Sequence, residues 1–281
     1  MRNLNEKQKQ ITGTLAMLGA SLCFSLGGLL IKLIPWNPLA INGVRNLIAS
    51  FVIGTYILVI HHRLKWNPTV LVGAVCMAGV TTCYAIANKL TSAGNTIVLQ
   101  YTAPVWIIIL MYLFFRKKPG RIEAVTIVIV LAGIICFFFE GLSAGGLLGD
   151  LIALLSGIFF AGVFMLGQFE KGDALSSMFF GQLMCGIFLS PLAVRETDFS
   201  LPVLGAVLLL GAVQVGLGYI LFSTGTKYTD PVTASIINAM EPILNPVLVA
   251  VFYGETLGIL SLTGAVIVIG GILFYNLAVH L

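Results

Sequence analysis

YAIANKLTSAGNTIVLQYTAP (residues 84–104) and FSTGTKYTDPVTASIINAMEP (residues 222–242) align without a gap when the chain is shifted against itself by 138 positions. Lys89 then falls on Lys227, Thr91 on Thr229 and Pro104 on Pro242. The same offset carries Phe114 onto Phe252, Gly120 onto Gly258, Val128-Ile129-Val130 onto Val266-Ile267-Val268 and Gly133-Ile134 onto Gly271-Ile272. Apolar composition alone produces some of these matches; the polar landmarks and the unbroken register argue for duplication. A shift of 136 lays Gly13 over Gly149 and Phe24 over Phe160, with Lys32 facing Gln168.

Composition says what is duplicated. Hydrophobic residues make up 58% of the chain, charged residues 9%, and mean hydropathy is +1.03, whereas ordinary soluble domains carry roughly 25% charged residues. Apolar stretches recur at about 11–33, 39–60, 68–88, 95–115, 122–139, 149–168, 174–194, 201–222, 231–253 and 258–279. Each fits the roughly 20 residues that span about 30 Å of hydrocarbon as a helix. The expected fold is an all-α polytopic membrane protein with ten transmembrane helices in two five-helix repeats, residues 1–143 and 144–281. Five is odd, so the second copy enters the bilayer inverted. The loops agree: RKKPGR (116–121) corresponds to GETLGI (254–259), which has lost every positive charge. Inverted repeats place substrate sites near the bilayer midplane, between the halves.

Charge placement gives the orientation. With a cytoplasmic N-terminus, Arg2, Lys7, Lys9, Arg63, Lys65, Arg116, Lys117, Lys118, Arg121, Lys171 and Lys227 lie inside, against Lys32, Lys89 and Arg195 outside. The positive-inside bias places both termini in the cytoplasm of a multi-pass inner-membrane protein. The net charge of +4 is therefore a topology signal and not a nucleic-acid footprint. The segment MRNLNEKQKQ and the helix after it lack a small-residue cleavage site, and the helix is expected to be retained. Connections are too short to hold a soluble domain, so function is expected within the bundle.

Several chemistries find no support. Cys23, Cys76, Cys83, Cys136 and Cys185 fall within spans without a CxxC, and His61, His62 and His280 sit at helix ends. No metal, cofactor or Walker-type nucleotide motif is present, so no enzyme and no direct ATP coupling are expected. A membrane-embedded aspartyl hydrolase needs two meeting carboxylates, yet Asp150 and Asp230 lie at helix ends on opposite predicted faces. A passive facilitator or channel for small polar solutes stays open as an alternative to a secondary transporter.

Candidate site residues are the polar groups buried in apolar runs. Glu241 interrupts SIINAMEPILNPVLVAVFYGE (235–255), and an ionisable group at that depth is costly unless paired, hydrated or used. Asn238, Glu241 and Asn245 share one helical face. Pro242 and Pro246 free the carbonyls of Asn238 and Pro242 beside that face. The bland reading is a carboxyl locked in an interhelical hydrogen bond. Arg45 lies roughly 9 Å inside the end of its helix at about 1.5 Å per residue; a substrate anion, the water interface and Glu241 all remain open as partners. Tyr84 and Asn88, i and i+4, precede Lys89; Gln100 is the repeat mate of Asn238, with Tyr101 and Trp106 nearby as packing or lining aromatics. Gln182 and Gln214 are weaker candidates, lacking a second polar group at helical spacing. Glycines such as Gly211, Gly216 and Gly218 would let helices approach and slide.

Taken whole, the chain resembles the EamA family of the drug/metabolite transporter superfamily. The resemblance rests on Pro231, Ala234-Ser235, Glu241-Pro242 and Gly254-Glu255 in the ninth helix, and on Ser25, Gly27-Gly28, Lys32, Pro38 and Arg45 in the first two. Where the family often has an aromatic-Gly-Ser in helix 1, this chain has Cys23-Phe24-Ser25; the first repeat has Ala103 where the second has Glu241. The resemblance implies alternating access around a cavity of helices 1–4 and 6–9, with helices 5 and 10 peripheral. It also implies export of small metabolites such as amino acids by a monomer or homodimer, with Glu241 binding a substrate amine or a coupling proton.

Overall fold

The structure, a computed structural model, describes residues 6–116, 118–144, 146–167, 169, 171–228, 237–238, 240–255 and 257–280. Arg2, Lys117, Gln168, Thr229, Asp230, Pro231, Ala234, Ser235 and Ala239 lie outside the described residues. Every regular element described is helical. Helices α1 (Glu6–Leu33), α2 (Pro38–Val59) and α3 (Pro68–Leu90) are uninterrupted. Then come α4 (Ala93–Gln100), α5 (Ala103–Phe115), α6 (Arg121–Ala144), α7 (Leu147–Gly167) and α8 (Ala174–Leu189), which passes into a 3₁₀ turn (Ser190–Arg195). A rod made of α9 (Leu201–Leu209), a π-helical stretch (Leu210–Leu217) and α10 (Gly218–Tyr228) precedes α11 (Glu241–Tyr253) and α12 (Ile259–His280).

Among the described residues, six segments are long and apolar enough to cross a membrane: Gln8–Leu33, Pro38–Val59, Pro68–Leu90, Ala93–Phe115, Ala174–Arg195 and Leu201–Gly225. The stretches expected at 149–168, 231–253 and 258–279 contain shorter apolar helices, and that at 122–139 lies within α6. Phe51, Val251 and Leu58 stand at least 70% exposed on the outside of the bundle. Such a surface suits hydrocarbon and not water, making this an integral membrane protein.

Local chemistry sets the boundaries. Asn37 and Asn67 cap α2 and α3, accepting from Leu39 and Val70, and Pro38 and Pro68 fill the first helical position, where no N–H is needed. Ser92 caps α4 and Asp173 caps α8 in the same manner. Pro191 cannot donate to the carbonyl four residues back, and the seventh span tightens into its 3₁₀ turn there.

Residues Ala93–Phe115 hold two helices and not one rod, and α11 starts at Glu241 after a turn at Met240. α5 begins at Ala103 and ends at Phe115, and α11 begins at Glu241 and ends at Tyr253, so both ends fall 138 residues apart. The residues that close them, Arg116 (φ 52) and Gly254 (φ 77), are also repeat mates, both left-handed. The expected weakening at Pro242 is thus a helix start: proline in a first turn sacrifices no bond. Pro246 stays inside α11.

Packing interleaves the two halves. α3 lies along α7 and α8, α1 along α10 and α11, and α2 along α8 and the π stretch, while α6 pairs with α12. That last contact is reciprocal: a Cβ on Gly133 would meet Val268 and Ile267, and one on Gly271 would meet Ile129 and Val130, the repeat mates of those residues.

Candidate functional site

A cavity of about 50 Å³ lies among α1, α2, α3, α7, the π stretch, α10, the α4–α5 break and the start of α11. Among the described residues, neither α6 nor α12 lines it, and neither does α8, which had been expected to contribute. α8 is taken up against α2 and α3 instead, with Gly181 on Met77, Gly186 on Leu47 and Cys185 beside Thr81.

Glu241 occupies the first turn of α11 and is 8% exposed. Its Oε2 accepts a hydrogen bond of 2.7 Å from the Tyr101 hydroxyl, which belongs to the α4–α5 break. The same hydroxyl lies 3.0 Å from the Asn238 carbonyl oxygen, which Pro242 cannot engage. A hydroxyl carries one proton, so it serves these acceptors in turn or forks between them. Gln100, the last residue of α4, donates to Ser156 Oγ at 2.8 Å, and Ser156 donates to the Val80 carbonyl at 3.2 Å.

Arg45 is 2% exposed and makes no ion pair with Glu241, although both line the cavity. Its Nε and Nη2 donate to Asn42 Oδ1 at 3.1 and 3.0 Å, and Nη2 also reaches the Thr81 carbonyl at 2.8 Å. Its guanidinium carbon sits 5.9 Å from the centre of the Tyr84 ring. Hydrogen bonds to a charged group contribute about 1.5–3 kcal/mol each. Three of them together exceed the roughly 2.5–3.5 kcal/mol insertion cost of an arginine at the centre of a membrane helix. Arg45 is therefore sustained without a carboxylate. Asn42 also accepts from Asn46 at 2.8 Å, making it the hub of this network.

The sequence-derived candidates separate into two groups. Glu241, Arg45, Asn238, Gln100 and Tyr84 line the cavity. Asn88, Asn245 and Trp106 do not. Asn88 bonds back to the Tyr84 carbonyl at 3.0 Å, and Trp106 donates to Thr102 at 3.0 Å. Asn245 donates to the Tyr84 hydroxyl at 3.1 Å and presses on Gly28, where a Cβ would collide with its amide. The bare backbone of Gly28 is what lets α11 approach α1 here. Gln214, a weaker candidate in the sequence, lines the cavity, as do Tyr101, Thr81 and Tyr219, which do not stand out there as site residues. Tyr101 had a signal there, a hydroxyl one residue from the repeat mate of Asn238.

At the end of the bundle that carries Lys32, the halves are clamped. Lys32 pairs with Glu255 at 2.7 Å and donates to the Thr91 carbonyl, and Glu255 accepts from the Ala93 amide at 2.7 Å. Leu29, Ala93 and Val249 form a small buried apolar cluster that joins α1, α4 and α11. The other end is tied by His62 and Asp173, 3.1 Å apart. Partial burial pushes the Asp173 carboxyl up, but hydrogen bonds from Ser176 and the contact with His62 prevail and hold it below the usual carboxylate range. Among the described residues, no three of His, Cys, Asp and Glu gather as metal ligands would.

The profile of the EamA-like transporter family matches this chain twice, over residues 11–139 and 147–277. The chain belongs to the EamA-like transporter family. It is thus a membrane transporter of the drug/metabolite transporter superfamily and non-enzymatic in kind. It is 26% identical over 204 residues to the uncharacterized transporter YdfC of Bacillus subtilis, covering 69% of this chain and 66% of that protein. An uncharacterized transporter of Archaeoglobus fulgidus is 23% identical over 245 residues, covering 84% of this chain and 87% of that one. A protein crystal structure superposes with a TM-score of 0.65 at 17% identity, covering 96% of this chain and 98% of that one, a likeness of fold alone. Of the family-like residues, Glu241-Pro242 open α11 at the cavity and Gly254-Glu255 close it at the clamp, whereas Pro231 and Ala234-Ser235 lie outside the described residues.

Proposed function

We propose that this EamA-like protein is a secondary transporter of the inner membrane that exports small, amine-bearing metabolites such as amino acids by alternating access. The two inverted five-helix halves would rock around the cavity at their broken helices. The observation that carries this reading is Glu241. It is a buried carboxyl in a cavity at the start of a half-helix, held by Tyr101 of the other half and without an ion pair among the described residues. A substrate ammonium or a proton entering the cavity competes with Tyr101 for this carboxyl, so occupancy and the contact between halves are linked. Arg45, neutralised by no carboxylate, suits the anionic end of a zwitterion.

Rocking must break the Lys32–Glu255 clamp, which joins the end of α1 to the segment after α11. The equal lengths of α5 and α11 and the reciprocal α6–α12 contact support the two-repeat reading. The test is a metabolite screen of cells with and without the protein, followed by uptake into liposomes under an imposed pH gradient. Amine-bearing metabolites depleted in expressing cells and transport driven by the gradient are the expected results. Transport indifferent to the gradient removes proton coupling.

A further inference from the structure

The π-helical stretch Leu210–Leu217 is the least ordinary backbone around the cavity. It carries Gln214, which is 8% exposed, lines the cavity and makes no hydrogen bond among the described residues; its Oε1 is fully enclosed. Tyr219, five residues on, lines the same cavity, and its hydroxyl likewise has no partner there. On an α-helix, residues five apart point roughly 140° away from each other. A π stretch, whose bonds run i→i+5, breaks that spacing ahead of Tyr219, the second residue of α10, and both side chains line the cavity. The π stretch thus turns two uncommitted polar groups into one space. Gly27 of α1 makes room for them: a Cβ there would come within 3.1 Å of the Gln214 amide and 3.0 Å of the Tyr84 hydroxyl. Phe24 stacks edge-on against the Tyr219 ring at 5.1 Å and fixes its direction.

A buried amide without a partner is unfavourable, and native structures hold few of them. We infer that Gln214 and Tyr219 form a specificity subsite that hydrogen-bonds a neutral polar substituent, a hydroxyl or an amide, on the transported molecule. This rests on the amine-bearing substrate class proposed above, with Glu241 taking the ammonium. The amide Nε2 offers donors, and the phenol offers both a donor and an acceptor. Sites built to hydrogen-bond a substrate hydroxyl reject the analogue lacking it, because the site's own groups are then left unpaired.

The experiment measures binding of tyramine and phenethylamine, which differ only in one hydroxyl, to the purified full chain by ligand-induced thermal shift. Wild-type protein is expected to prefer tyramine by about tenfold or more. Gln214→Leu and Tyr219→Phe should each bring the ratio close to one while still binding phenethylamine. Gln214→Leu without ligand should melt at or above the wild-type temperature, since an apolar side chain replaces an unsatisfied amide. Equal binding of both amines by wild type, a preference kept in both variants, or a lower melting temperature for Gln214→Leu overturns the subsite and leaves the amine reading in place. Binding of neither amine by wild type, or of both unchanged in Glu241→Gln, overturns the amine reading, and the subsite falls with it.

Discussion

The break between α4 and α5 and the residues leading into α11 occupy the same place in the two halves. Both restart a 13-residue helix with proline second, at Ala103-Pro104 and Glu241-Pro242. The first break contributes hydroxyl and amide groups, Tyr101 and Gln100, that donate outward to other helices. The second contributes acceptors, the Asn238 carbonyl and the Glu241 carboxyl, that receive from the first. Each of the two family matches holds the same backbone device, one as donor and the other as acceptor. The hydrogen bond across the seam follows from that asymmetry.

Removing the acceptor should have the largest effect. Glu241→Gln keeps the shape but cannot hold a charge, and transport is expected to fall by at least 100-fold in liposome uptake, with the fold intact by circular dichroism. The reverse change, Ala103→Glu, puts a second carboxyl at a site 3% exposed. Stranding a charge in an apolar bundle should lower stability by about 3 kcal/mol or more, read as a fall in melting temperature. Deleting the donor comes next. Tyr101→Phe loses one hydrogen bond to an acid, worth about 1.5–3 kcal/mol, and should weaken substrate discrimination more than folding, because the freed carboxyl still meets cavity water.

Smaller effects lie at the far ends of the two half-helices. Gly254→Ala forces a Cβ into the left-handed region that Gly254 occupies at φ 77, at a cost of about 1–2 kcal/mol. Arg116→Gly, at the matching position, should be neutral or stabilising by less than about 1 kcal/mol. The smallest effect is a control away from the breaks. Asp173 is held below its ordinary range when folded. Its contribution is therefore complete above the unfolded carboxylate value and is lost as pH falls through the folded one. Asp173→Asn should flatten the acid limb of a melting-temperature profile by under about 1 kcal/mol while leaving transport unchanged.

Much of the site was legible because polar groups in apolar runs are few. Glu241, Arg45, Gln100, Asn238 and Tyr84 advertised themselves by cost and by repeat register, and they share one cavity. Periodicity gives a face, not a depth. Asn245 shares Glu241's face but sits one turn along and bonds to the Tyr84 hydroxyl instead of lining the cavity. Asn88 is spent on its own helix, and Trp106 on Thr102. Gln214 reads only as a weaker candidate and Tyr219 as none, because no second polar group stands at α-helical spacing; the fold brings both to the cavity. Asn42 was missed because an asparagine near a helix start reads as an ordinary polar residue, although its donors Arg45 and Asn46 stand at i+3 and i+4 on the same helix. The two-repeat pattern was readable throughout, yet the break at Tyr101-Thr102 was not. No proline or glycine marks it within the residues where α4 stops.

The most direct measurement is transport of an amine-bearing metabolite, identified from the cell screen, into liposomes containing wild-type protein or Glu241→Gln in parallel, at matched protein content. Wild-type transport together with a loss of about 99% or more in the variant is the predicted result. Retention of wild-type transport by Glu241→Gln would contradict the assignment of this carboxyl as the group around which the two halves exchange their contacts.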